Sequence, residues 1–210
     1  MSPILALLLC AFILPLFISS WRVGLIGLAA QGCLTAWLAL REGFHPGSPE
    51  TVFAIVDYAL IRGIGLPWAL YAVLRSRQAP YAVDIIPPNL LAWISALGLV
   101  LLAFNFTPLL TQDSGGPRHA VSVVAAGVLL GFFILSTAKA LFGQMLGAVY
   151  IENSIALFEA SHGGHADPWA VRLGMTGVAV ATFALYRWFL ANGVDMQAEN
   201  IRENPEGPAL

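Results

Sequence analysis

Four ionisable residues stand inside long apolar runs, where charge is expensive to keep: Asp57, Arg62, Glu152 and Glu159. An ionisable group at bilayer depth costs about 2.5–3.5 kcal/mol on insertion scales and needs a partner or water, which makes each one a functional hypothesis. Burial favours a neutral acid, whereas a nearby cation favours the anion, so a carboxyl group in such a setting can exchange a proton. The chemistry on offer is a proton path, with a fixed ion pair between helices as the plainer alternative. Arg62 and Glu152 each lie about eleven residues from the same-side end of their runs. At about 1.5 Å per residue both fall near mid-membrane, and they pair if the third and sixth runs touch. Asp57 and Arg62 are five apart, roughly 140° round an α-helix, and are expected to pair poorly with each other. Glu152 and Glu159 are seven apart and share a face, with Glu159 close to the outer boundary.

The elements that must position these side chains follow from composition. Of 210 residues, 58% are hydrophobic and only 10% charged; mean hydropathy is +0.77. A soluble fold of this length cannot bury so much apolar surface, because much of any folded surface needs polar cover. An ordinary cytosolic enzyme, a disordered chain and a disulfide-built secreted domain are excluded. A formal net charge of −2 offers no basic field for nucleic acid. The sequence reads as an all-α integral membrane protein in one membrane domain.

A crossing needs about 20 mostly apolar residues, and seven runs qualify: 3–20, 23–40, 51–73, 89–110, 120–138, 141–160 and 169–190. A polar tail over 191–210 follows them. The first run lacks a basic leader and a cleavage site, so it reads as a retained helix. The connections carry turn punctuation, as in His45-Pro46-Gly47, Pro87-Pro88 and Ser114-Gly115-Gly116-Pro117. Around Lys139 there is hardly a loop, which predicts a tight hairpin of the fifth and sixth crossings. The GxxxG pairs Gly127/Gly131 and Gly143/Gly147 would let those two backbones approach closely. Past Arg62 come Gly63, Gly65 and Pro67; the proline lacks a donor and crowds the Gly63 carbonyl, which predicts a kink or loosened turn.

Basic residues set the orientation. Arg22, Arg75, Arg77, Lys139, Arg187 and Arg202 fall on one side, and Arg41, Arg118 and Arg172 on the other. The bias predicts an N-terminus outside and a C-terminus in the cytoplasm of a multi-pass protein of the cell (inner) membrane. His45, His119, His162 and His165 then face outward; spaced loop histidines without acidic or thiol company read as solvated side chains rather than metal ligands. Cys10 and Cys33 lie in apolar runs and give no framework. Nothing implies a cofactor: there is no CxxC, no haem-attachment motif and no dinucleotide fingerprint. Seven helices and a single lysine suggest a retinal protein, but Lys139 sits at a helix junction rather than midway along the last crossing.

The stretch Lys139-Ala-Leu-Phe-Gly-Gln-Met-Leu-Gly-Ala-Val-Tyr-Ile-Glu152-Asn153 resembles the hallmark segment of the hydrogenase-4 component E family, which places a basic turn, a small-residue helix and a Glu-Asn pair in this order. The C-terminal half of that family is in turn similar to the K subunit of respiratory complex I. The likeness extends to Leu60-Ile61-Arg62-Gly-Ile-Gly-Leu-Pro67 and to Gly193-Val-Asp195-Met in the tail. Carried over, Glu152 corresponds to the family's buried glutamate, Lys139 to its basic turn and Arg62 to its basic third-helix residue. The last crossing departs: where the family keeps an acid, this chain reads Gly174-Met-Thr-Gly-Val178-Ala-Val-Ala-Thr182. A two-carboxylate relay within the chain is therefore in doubt, with Glu159 or a partner subunit left to complete the route.

The resemblance implies a membrane-arm subunit of a complex-I-like or membrane-bound hydrogenase-like assembly. Such a subunit links antiporter-like neighbours to the redox module and contributes Glu152 to proton movement, with no redox site of its own. A purely structural scaffold of that complex and a free-standing small-solute transporter are the alternatives. Transporters of that kind often repeat a broken helix in two halves, and only the third run here carries a clear break.

Overall fold

The computed structural model describes residues 2–18, 20–41, 49–76, 90–110, 118–161 and 173–189. Among them only helices occur. In chain order they are α1 (Pro3–Phe17), α2 (Trp21–Arg41), α3 (Pro49–Ile55), a π-helix (Val56–Gly65), α4 (Leu66–Ser76), α5 (Leu90–Leu110), α6 (Arg118–Thr137) and α7 (Leu141–Ser161). A last helix, α8, covers residues 173–189. α3, the π-helix and α4 follow one another without a break and form one rod, of which Thr51–Ser76 is apolar enough to cross a bilayer.

Helices thus occupy the seven expected runs. Five of them are long and apolar enough to cross a membrane: Trp21–Arg41, Thr51–Ser76, Leu90–Thr107, His119–Thr137 and Leu141–Ser161. α1 is shorter than its run. It starts on the Ser2 hydroxyl, which accepts from the Leu5 N–H at 3.4 Å, and stops where Ile18 turns extended at φ −113° and ψ 109°. Its 15 residues rise about 22 Å, less than the roughly 30 Å of a bilayer's hydrocarbon core.

The surface is apolar and the polar side chains are inside. Leu7, Ile26, Trp37, Trp68, Leu101 and Phe132 are exposed, while Gln31, Asp57, Arg62, Asn153 and Ser154 are buried. That inversion is what a hydrocarbon solvent favours, since a polar group facing lipid finds no partner there.

α6 and α7 pack more extensively than any other pair. The hairpin around Lys139 is as tight as expected: Ala138 still donates to Ile134, and the Gln144 side-chain amide donates to the Ala138 carbonyl at 3.3 Å. The glycines permit the approach, because a Cβ on Gly131 would stand 2.8 Å from the Gly147 carbonyl oxygen. A Cβ on Gly127 would collide with the Ser154 hydroxyl. At the heart of the bundle Phe12 and Tyr150 meet edge-on, ring centroids 5.3 Å apart.

Candidate functional site

The π-helix decides what Arg62 touches. Its i→i+5 turns bring residues five apart onto one face, whereas α-turns would splay them. Arg62 Nε donates to Asp57 Oδ2 at 3.1 Å, and both side chains are buried. This corrects two sequence expectations. Asp57 and Arg62 do pair, because the segment is not α-helical, and the partner of Arg62 is Asp57 rather than Glu152. The loosened turn expected before Pro67 takes this form, with the Leu66 N–H reaching the Ile61 carbonyl across the wider turn.

The π-helix lies against α2 backbone to backbone. A Cβ on Gly32 would stand 2.5 Å from the Gly63 nitrogen and 2.8 Å from the Tyr58 carbonyl oxygen. No side chain fits between them, so the glycine at this crossing sets the depth to which Arg62 can reach.

Beyond Arg62 the polar contacts continue across the bundle. Its Nη1 donates to Asn153 Oδ1 of α7 at 3.5 Å. Asn153 Nδ2 donates to Gln31 Oε1 of α2 at 3.0 Å. Gln31 Nε2 donates to the Ala11 carbonyl of α1 at 3.1 Å. Four helical segments are therefore tied by one chain from Asp57 to Ala11. The Tyr150 hydroxyl lies beside Gln31, fully buried and outside hydrogen-bonding geometry.

Glu152 occupies the other side of Arg62. The two line a cavity of about 340 Å³ with Ile155 of α7 and Gly174, Met175 and Val178 of α8. The Thr182 hydroxyl stands beside the Glu152 carboxyl group, and the Arg62 charge acts on it. One carboxylate oxygen, Oε2, is buried with no hydrogen-bond partner, and so is Asp57 Oδ1. A half-buried acid with one oxygen left without a partner, close to a fixed cation, is equipped to take up and release a proton.

The remaining candidates divide. Glu159 accepts from the Tyr58 hydroxyl at 3.3 Å and so joins α7 to the π-helix two turns beyond Glu152. Lys139 is exposed in the hairpin, two residues before α7, whose start at Leu141 lies about 16 Å along the axis from Glu152. It belongs to a helix end rather than to the buried cluster. His45, His162, His165 and the tail carboxylates Asp195, Glu199, Glu203 and Glu206 lie outside the described residues.

Two members of the cluster carry no charge to mark them in the sequence. Gln31 is the sole glutamine of α2, and Asn153 is legible in the sequence only as the second half of a Glu-Asn pair. The available signal was that amides inside apolar helices hydrogen-bond across helices. Thr182 is a third, at the end of the acid-free stretch 174–182 of the last run. Compared with protein-family models, curated proteins and solved structures, the chain matches none.

Proposed function

We propose that this chain is a multi-pass subunit of a cell membrane that carries protons through Glu152, within a complex-I-like or membrane-bound hydrogenase-like assembly. The observation that carries the reading is the shared cavity of Glu152 and Arg62. A carboxyl group with an unpartnered buried oxygen faces a cation already neutralised by Asp57. Arg62 is then free to bias Glu152 electrostatically without locking it in an ion pair, which is what a reversible proton site requires. The chain holds no motif for a redox centre, so in this reading electron transfer belongs to partners, and antiporter-like subunits are its neighbours in the membrane arm.

In the same proposal all seven helical rods cross the bilayer, with the N-terminus outside and the C-terminus cytoplasmic. α1 spans by deforming or thinning the bilayer around it. α8 carries no acid that would complete a relay, so protons leave Glu152 through the cavity wall toward a neighbouring subunit.

A scaffold reading has its own support. The Asp57–Arg62 pair and the amide chain behind it tie four helical segments together, and such a cluster fixes geometry without moving anything. Proton translocation by the intact assembly in sealed vesicles separates the two, comparing wild type with Glu152→Gln while electron transfer is followed in parallel. The proton reading expects an assembled variant whose translocation falls. An assembled variant that translocates like wild type leaves the scaffold.

A further inference from the structure

The buried polar chain begins at a backbone carbonyl that is free for a specific reason. In an α-helix the Ala11 carbonyl would accept from the N–H of residue 15, but residue 15 is Pro15 and has none. Gln31 Nε2 takes that acceptor instead, at 3.1 Å. The approach is close because Gly27, one turn before Gln31 on α2, faces both Pro15 and the Ala11 carbonyl; a Cβ there would stand 3.2 Å from that oxygen and collide with the proline ring.

The direction of every subsequent bond follows. A carbonyl only accepts, so Gln31 presents Nε2 to Ala11 and Oε1 to Asn153. Asn153 then donates through Nδ2 and turns Oδ1 toward Arg62, and a guanidinium only donates. Both ends of the chain force the same polarity, and neither amide can flip without breaking two bonds.

We propose that Gln31, oriented by the Ala11 carbonyl that Pro15 leaves free, is a positioning residue that holds Arg62 at its distance from Glu152. α1 thereby acts on the Glu152 site without touching it. The inference rests on the reading of Glu152 as the proton site.

The charged and titratable groups around Glu152 are few. The π-helix presents Arg62, with Asp57 as its partner, and Tyr58; α7 itself carries the buried Tyr150 and, two turns beyond Glu152, Glu159. α8 faces the acid with Thr182 and holds Tyr186 and Arg187 toward its far end. α2 bears Arg22 and Arg41 at its ends and Cys33 next to Gly63, and α6 bears its ionisable residues, Arg118 and His119, at its start. Displacing Arg62 therefore changes the main charge that Glu152 feels.

The test reads Glu152 directly. Hydrophobic carbodiimides modify protonated carboxyl groups in apolar surroundings, so the pH at which the full-length protein in membranes is half-labelled reports Glu152, with Glu152→Gln as the blank. Gln31→Met removes the amide. Pro15→Ala restores an N–H that recaptures the Ala11 carbonyl, and it relieves a helix-interior proline, so this variant keeps the proposal testable should Gln31→Met fold poorly. The expected result is that each variant moves the half-labelling pH by about half a unit or more, and that the double variant moves it no further than either alone. Unchanged labelling in Pro15→Ala, or shifts that add in the double variant, overturns the proposal. The readout needs no translocation. A failed proton role for Glu152 would appear in the vesicle assay, whereas a failed positioning role would appear only here.

Discussion

Arg62 and Asp57 show how much one buried contact can decide. Each is compensated by the other at 3.1 Å, and each alone would be an isolated charge in an apolar bundle. Arg62→Met is therefore expected to destabilise the protein by about 3–5 kcal/mol, because it strands Asp57. The double variant Arg62→Met with Asp57→Leu should regain most of that loss, since a well-packed apolar pair can replace a buried ion pair at little cost. Unfolding of the detergent-solubilised variants by added denaturing surfactant measures both. A double variant no better than the single would mean that Asp57 is held by something other than Arg62. At this scale the ionisable residues were legible in the sequence, because a charge inside an apolar run stands out against its cost. Their partners were not. The pairing of Asp57 with Arg62 depends on how tightly the backbone winds, and the roles of Gln31 and Asn153 depend on which helix faces lie together.

Among the elements, the rods were legible and the winding of one of them was not. Twenty apolar residues between turn signals give a helix almost regardless of detail, and Gly131 and Gly147 of the α6–α7 hairpin meet as the spacing implied, while Gly127 lies against Ser154. The π-helix leaves only an indirect trace, the glycines and Pro67 that end it, because helical periodicity arguments presuppose α-turns. Glycine substitutions separate the crossings that matter from those that do not. Gly32→Ala places a methyl 2.5 Å from the Gly63 nitrogen, and neither backbone has room to yield. It should lose stability and disturb the Asp57–Arg62 site together. Gly98→Ala on α5 meets nothing within 4 Å, and removing a mid-helix glycine should stabilise by about 0.5–1 kcal/mol. The same surfactant titration reads the contrast. Equal effects at the two positions would remove the backbone contact between α2 and the π-helix from the account. Deletion of Leu60 from the π-helix would leave Asp57 and Arg62 four apart, a spacing that α-turns also bring onto one face, so the pair should survive a return to α-like register. The same surfactant titration should then find the deletion less damaging than Arg62→Met, which strands Asp57.

For the whole molecule, the inverted surface and the helix lengths carry the argument for a bilayer, and sidedness can be tested without knowing any partner. Arg41 closes α2 and Lys139 stands between α6 and α7, both exposed. Three rods separate them: Thr51–Ser76, α5 and α6. Each contains a stretch long and apolar enough to cross. An odd number of crossings puts the two positions on opposite faces, whatever α1 and α8 do. Which face is cytoplasmic rests instead on the excess of arginine and lysine on the Lys139 side. The experiment is single-cysteine labelling with a membrane-impermeant maleimide, in a background where Cys10 and Cys33 are replaced; both are exposed on apolar helices. Arg41→Cys should react in right-side-out vesicles and Lys139→Cys only in inverted ones. The reverse pattern would turn the orientation over while keeping the crossings. Labelling of both from one face would mean that one of the three rods does not cross. Glu152 and the Asp57–Arg62 pair would then sit in a different dielectric setting, and the case for a proton site at mid-membrane would fall with the topology.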